Sequence, residues 1–132
     1  MSTAHTGVAA WHTYMRGGSQ PETLSAMLAD DAVFHSPVVH TPQAGKAKVF
    51  AYLHAASRVL GNDSFTYVRE IIDGDTAMLE FALELDGIKV NGVDIIRWNA
   101  AGMIDDFKVM VRPMKAMNKV WEKMGETLAA AG

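Results

Sequence analysis

Residues 76–98 read Thr76-Ala77-Met78-Leu79-Glu80-Phe81-Ala82-Leu83-Glu84-Leu85-Asp86-Gly87-Ile88-Lys89-Val90-Asn91-Gly92-Val93-Asp94-Ile95-Ile96-Arg97-Trp98. Ala77, Leu79, Phe81, Leu83 and Leu85 fall on one face of an extended chain, and Met78, Glu80, Ala82 and Glu84 on the other. A period of two is the mark of a strand with one face against a core. Asp86-Gly87 is a hairpin signal, because a two-residue turn favours side chains that tolerate positive φ. The chain then returns as a second long strand, Ile88 to Trp98.

Outward from this hairpin the same grammar continues. Phe65 to Ile72 is aromatic and β-branched, and Asp73-Gly74-Asp75 joins it to Thr76 as another hairpin. Asn99 to Gly102 turns into a further strand, Met103 to Arg112. Pro113 stops that strand and can begin a last helix with the stripe Met114, Met117, Trp121, Met124 and Leu128. Before residue 65 the period changes. Val8, Trp11, His12 and Met15 are spaced for a helix that ends at Gly17-Gly18. Pro21 starts a second helix after Ser19 as N-cap, with Leu24, Met27 and Leu28 as its apolar side. Ala32 to Ser36 is a short strand stopped by Pro37, and Val38 to Gly45 a loop. Lys46 to Leu60 is a longer amphipathic helix closed by Gly61. Helices first and hairpins afterwards predict an α+β fold, one domain over 1–132, with helices on one face of a curved antiparallel sheet. A ligand's place is the hollow between the two layers. The tail 129–132 is expected to fray.

Composition narrows the function classes. At 132 residues, 49% of them apolar, the chain can bury a core without staples. A net charge of −3 without a Lys/Arg run argues against nucleic acid as partner. There is no cysteine, so thiol nucleophiles, disulfides and cysteine metal sites are excluded. No apolar stretch approaches the roughly 20 residues of a membrane span, and the first residues lack a secretory pattern, so a cytoplasmic protein is expected.

Polar residues on an apolar face are the informative anomalies. In the strand 88–98, Ile88, Val90, Gly92, Asp94, Ile96 and Trp98 share a face, and Asp94 is its one ionisable member. Burial should raise its pKa, which suits a proton donor; equally, it could bond a histidine, tyrosine or amide and order the core. His35 and His40 flank Pro37, but two histidines five apart in a non-helical stretch are no metal pattern, and no metal is expected. His35 and His12 are the candidate partners of Asp94 in acid–base work. His12 shares the helical stripe of Trp11, Val8 and Met15, so a satisfied core histidine is a stronger reading of it than a catalytic one. Phe107, Val109 and Val111 suit the hollow, with Lys108 and Arg112 on the other face. Ser36 and Ser57 lie in no nucleophile elbow, and no phosphate-cradling glycine loop is present.

With these residues placed, the sequence resembles the NTF2-like superfamily in its SnoaL-like branch, the polyketide cyclase-like and ketosteroid isomerase-like proteins. The likeness is carried by Leu28 to Pro37, by Gly45-Lys46 opening the long helix, and by Asn91 to Trp98 followed by Gly102-Met103-Ile104. It implies a cone of helices against a strongly bent sheet, commonly dimeric, with the pocket inside. It does not imply one reaction, since such folds host isomerases, cyclases, hydrolases, dehydratases and non-catalytic members. Ketosteroid isomerases need an aspartate base before the first-strand proline, a tyrosine on the first helix and a protonated aspartate on the third long strand. Here Ser36 stands at the base position, and Trp11 or His12 is nearest the tyrosine position, with Tyr14 a few residues on. Only Asp94 matches. The last-strand aspartate of related hydrolases and cyclases is replaced by Val109.

The expected site is thus Asp94, with His35 and His12, inside walls from Trp11, Tyr14, Phe34, Ser36, Tyr52, Leu79, Phe81, Ile96, Phe107, Val109 and Val111. Alternation sends either His35 or Ser36 inward; the resemblance implies Ser36. The expected ligand is a small apolar molecule, handled without a cofactor. The opposite sheet face, with Met78, Ala82, Val93 and Ile95, is the expected homodimer surface.

Overall fold

The computed structural model describes residues 2–131, so the single-domain reading over 1–132 reaches past them at Met1 and Gly132. The elements are α1 (Thr3–Arg16), α2 (Pro21–Met27), β1 (Leu28–His35), β2 (Gln43–Ala44), α3 (Lys46–Leu60), β3 (Thr66–Asp73), β4 (Thr76–Leu85), β5 (Ile88–Trp98), β6 (Ile104–Arg112) and α4 (Met114–Ala131). The six strands form one curved sheet in the order β2-β1-β6-β5-β4-β3. At the β4–β5 turn φ is 50° at Asp86 and 79° at Gly87, the left-handed pair that matches the twist of a tight hairpin. The register of β4 on β5 then runs unbroken from Leu85 opposite Ile88 to Thr76 opposite Arg97.

The sheet is mixed, which corrects the antiparallel expectation. β1 lies parallel to β6, with Phe34 opposite Phe107 and His35 opposite Lys108. The N-terminal strand is carried there by helices, not by a hairpin, so no local turn dictates its direction. The 38–45 loop also contains a strand, since Gln43 and Ala44 pair with Phe34 and Val33 at the sheet edge.

Three helical expectations shift. α2 takes Gln20 as N-cap without a side-chain bond; Ser19 sits at φ 56° instead. α1 buries Ala4, Gly7, Val8, Trp11 and Tyr14, so Tyr14 takes the inward place expected of His12. The rotation follows from Gly7, where a Cβ would collide with the Trp98 indole. α4 buries Ala116 and Val120, leaving Met114 81% and Trp121 62% exposed. Met117, Met124 and Leu128 are half-buried beside that narrower seam. The helix continues to Ala131 where fraying was expected, and Gly132 lies outside the described residues.

The core lies between the concave sheet face and the helices. Leu79, Phe81, Ile96 and Phe107 are almost fully buried there with Trp11, Tyr14 and Phe34. Each such side chain contributes about 1.5–3 kcal/mol by leaving water, which makes this layer the main stabilising feature.

Candidate functional site

Asp94 is 7% exposed on the concave face, opposite Leu79 on β4 and Val109 on β6. It faces a small cavity of about 30 Å³ with Trp11, Met15, Phe65, Phe81, Phe107 and Val109 among its walls. Leu53, Ala56, Ser57 and Leu60 of α3 complete it. Burial pushes the carboxyl up to about 7, and a hydrogen bond from Tyr67 to its charged form offsets part of that rise. Asp94 is therefore poised between acid and carboxylate near neutral pH.

A second hollow of about 130 Å³ adjoins this one, because Ala56, Leu60 and Val109 line both. Its remaining walls come from the β1 end (Phe34, Ser36 to Val39), from Tyr52, from Val111 and from α4 (Val120, Trp121, Met124, Gly125 and Leu128). The ring of Tyr52 stacks on Phe34, with centroids 5.6 Å apart. The two hollows share the apolar wall of Ala56, Leu60 and Val109, and Asp94 lines only the smaller one. Broader recesses elsewhere, about 390 Å³ on the convex face and about 650 Å³ at the β3–β5 end, do not reach Asp94.

The expected site residues separate into groups. Trp11, Phe81, Phe107 and Val109 wall the Asp94 cavity, and Phe34, Ser36, Tyr52 and Val111 the outer hollow. Leu79 and Ile96 are fully buried in the core and line neither hollow. Tyr14 is also behind the wall. It bonds Ser57 Oγ at 2.7 Å, and because Ser57 donates to the His54 carbonyl at 2.9 Å, Tyr14 is the donor. Burial holds its phenol above the usual range.

Neither histidine joins Asp94. His35 turns to the other sheet face and pairs with Asp106 at 2.9 Å, while Ser36 lines the outer hollow. The Ser36 hydroxyl accepts from Val38 N–H at 3.1 Å, which ties it to the turn after β1. His12 pairs with Glu70 at the β3 edge. It lines a polar recess of about 450 Å³ with Arg16, Asn62, Thr66 and Tyr67.

Tyr67 is the residue the sequence reading missed. Its hydroxyl lies 3.4 Å from Asp94 Oδ2 and accepts from Trp11 Nε1 at 2.7 Å. Burial, then the Asp94 charge, holds the phenol well above its ordinary range, so it remains a donor. The reason for the miss is a bulge. From the Asp73–Thr76 turn, β3 pairs regularly as far as Arg69 opposite Glu80, and then slips so that Tyr67 faces Phe81. Unslipped pairing puts Val68 opposite Phe81 and sends Tyr67 outward; the slip leaves Val68 55% exposed.

Among the described residues no cluster of three or more His, Asp or Glu side chains could hold a metal ion, and no helix is long and apolar enough to cross a membrane.

This geometry can be set beside known proteins. The SnoaL-like domain matches residues 8–107, which spans α1 to the middle of β6. The chain belongs to the SnoaL-like domain family. A steroid delta-isomerase of Pseudomonas aeruginosa shares 35% identity and a TM-score of 0.91 over 99% of this chain and 95% of that one. An uncharacterised bacterial protein with a cystatin-like fold, from Silicibacter pomeroyi, is 29% identical with a TM-score of 0.83, over 92% and 84% of the two chains. An NTF2-like protein of unknown function from Mesorhizobium loti shows the fold at 18% identity, TM-score 0.71, over 84% and 92%. No curated protein matches the chain. The NTF2-like α+β architecture expected from the sequence is thus the fold of this family member.

Proposed function

We propose that this SnoaL-like protein binds a small apolar molecule in the adjoining hollows between α3, α4 and the concave sheet face, with Asp94 as its polar anchor and proton donor. The observation that carries this reading is a lone carboxyl, raised to about 7, at the inner end of an apolar hollow. A neutral carboxyl there can donate to one oxygen of the ligand. The same proton is available for acid-assisted cyclisation, isomerisation or dehydration, with no cofactor required. Ser36 lines the outer hollow without a basic partner, which speaks against removal of a carbon-bound proton from that side. The likeness to a steroid delta-isomerase supports a ring-bearing ligand. The hollows, about 30 and 130 Å³, are below the 300–1,000 Å³ of typical ligand pockets, which favours one or two rings over four.

Nuclear magnetic resonance titration with a small ring ketone tests it. Saturable shifts are expected at Trp11, Phe107 and Val109, and Asp94→Ala, which has no donor, should weaken binding about tenfold, the worth of one hydrogen bond in a buried site. Shifts confined to surface residues would remove the proposal.

We also propose that the convex sheet face pairs with a second copy of the chain. Ile71 on β3 stands opposite Met78 on β4, which stands opposite Ile95 on β5, and Val93 stands opposite Met110 on β6. Ile71, Met78 and Met110 are exposed large apolar residues in this row. Light scattering that finds monomer alone at micromolar concentration rejects this pairing.

A further inference from the structure

Donor and acceptor rules fix the direction of the hydrogen-bond chain behind Asp94. The indole N–H of Trp11 can only donate, so at 2.7 Å the Tyr67 oxygen accepts from it. The single proton of Tyr67 then points along the remaining short contact, 3.4 Å to Asp94 Oδ2. No other side chain or backbone group bonds the Asp94 carboxyl among the described residues. His12 touches the Tyr67 ring edge-on at 4.9 Å, but its Nε2 is held by Glu70.

We propose that Trp11 is a positioning residue: by aiming the Tyr67 hydroxyl at Asp94 Oδ2, it leaves Oδ1 to carry the acid proton toward the cavity and so selects ligands that present a hydrogen-bond acceptor, a ketone, enone or quinone oxygen. A protonated Oδ2 would turn the Tyr67 proton away and leave it buried without an acceptor, which costs about 1–3 kcal/mol. The wiring therefore assigns the proton to the oxygen without a protein partner. This deepens the binding reading above and rests on it for the ligand class, whereas the wiring itself stands on the contacts alone. Trp11 also meets the cavity through its ring, packed 5.1 Å from Phe107. One side chain thus shapes the wall and directs the acid behind it.

Carboxyl ¹³C titration of Asp94 in the full chain tests the wiring without a ligand, with Asp94→Asn assigning the signal. Tyr67→Phe removes a donor to the charged form and should raise the Asp94 midpoint by about one pH unit, a tenfold change in the ionisation equilibrium. Trp11→Phe should raise it in the same direction, and the double variant should match Tyr67→Phe alone. An unchanged midpoint in Trp11→Phe, or a double variant that moves beyond Tyr67→Phe, overturns the wiring. If Trp11→Phe loosens the fold, benzothienylalanine at position 11 keeps the bicyclic ring without the N–H and decides the same point.

Binding of 1-indanone against indane tests the ligand class. A preference for the ketone of about tenfold is expected at pH 6, lost as Asp94 ionises, and lost at a higher pH in Trp11→Phe than in the parent. Equal binding of the two probes overturns the acceptor selection. Binding of neither overturns the pocket reading, while the titration still judges the wiring.

Discussion

The two faces of this sheet are built from the same alternation and end in opposite conditions. On the concave face the odd positions of β4 and the even positions of β5 are sealed under helices, and Asp94 is the one carboxyl among them. On the convex face Ile71, Met78 and Met110 remain in water beside the Arg69–Glu80 ion pair. Alternation therefore sorts residues into two sets, but what covers each set gives it its chemistry. The covered carboxyl becomes a near-neutral acid. The uncovered apolar row becomes the surface proposed for a second copy.

The contrast can be broken most forcefully from the concave side. Phe107 is 1% exposed and packs on Trp11 and Phe34, so Phe107→Ala should cost about 3–5 kcal/mol in urea unfolding. Asp94 offers a pH-dependent test of similar size. Its pKa is about 7 folded against 3.8 ordinarily, so the folded chain keeps a proton that the unfolded chain releases. The stability this gives is fully present below pH 3.8 and is lost as pH rises through 7. Asp94→Asn, free of that penalty, should thus gain stability over the parent between pH 5 and pH 8, on the order of 3 kcal/mol, and a flat difference would mean the carboxyl is not enclosed.

A smaller effect sharpens the same boundary. Gly92 on β5 leaves the space that the Phe81 ring fills, with the Met110 carbonyl 2.8 Å from where a Cβ would stand. Gly92→Ala should therefore cost about 1–3 kcal/mol by overpacking, measurable in the same unfolding assay. The convex face supplies the smallest change. Met78→Lys should move monomer stability by no more than about 0.5 kcal/mol. If the row pairs two copies, the same substitution should shift light scattering toward monomer; a dimer that survives it places the contact elsewhere.

Reading the chain was easiest where neighbours in sequence are neighbours in the sheet. The β4–β5 hairpin, its turn and the inward set ending at Asp94 all follow from a period of two and a two-residue loop. The long helix over 46–60 was equally plain from its stripe. The parallel pairing of β1 with β6 was not, because it depends on how three helices carry the chain across the sheet. Tyr67 was hidden for a related reason. Its aromatic strand was visible, but the side it faces is set by a bulge at Val68 in the pairing with β4, and what the slip gains is contact with Trp11 of α1 and Asp94 of β5. Strict alternation reads Val68 as inward and Tyr67 as outward, the reverse of what the bulge produces. The histidines went the other way: their titration range made them attractive partners, yet both are taken by acidic residues, Glu70 and Asp106, that lie far off in sequence.

The order of side chains by itself determined that a carboxyl would sit on the apolar face of a curved sheet, since alternation is a local property of extended backbone. Only the tertiary structure decided what that carboxyl meets. A hydrogen bond needs atoms within about 3.5 Å, and the approach of Trp11 from α1 and Tyr67 from β3 results from helix packing and a register slip, which are settled by contacts summed over the whole chain.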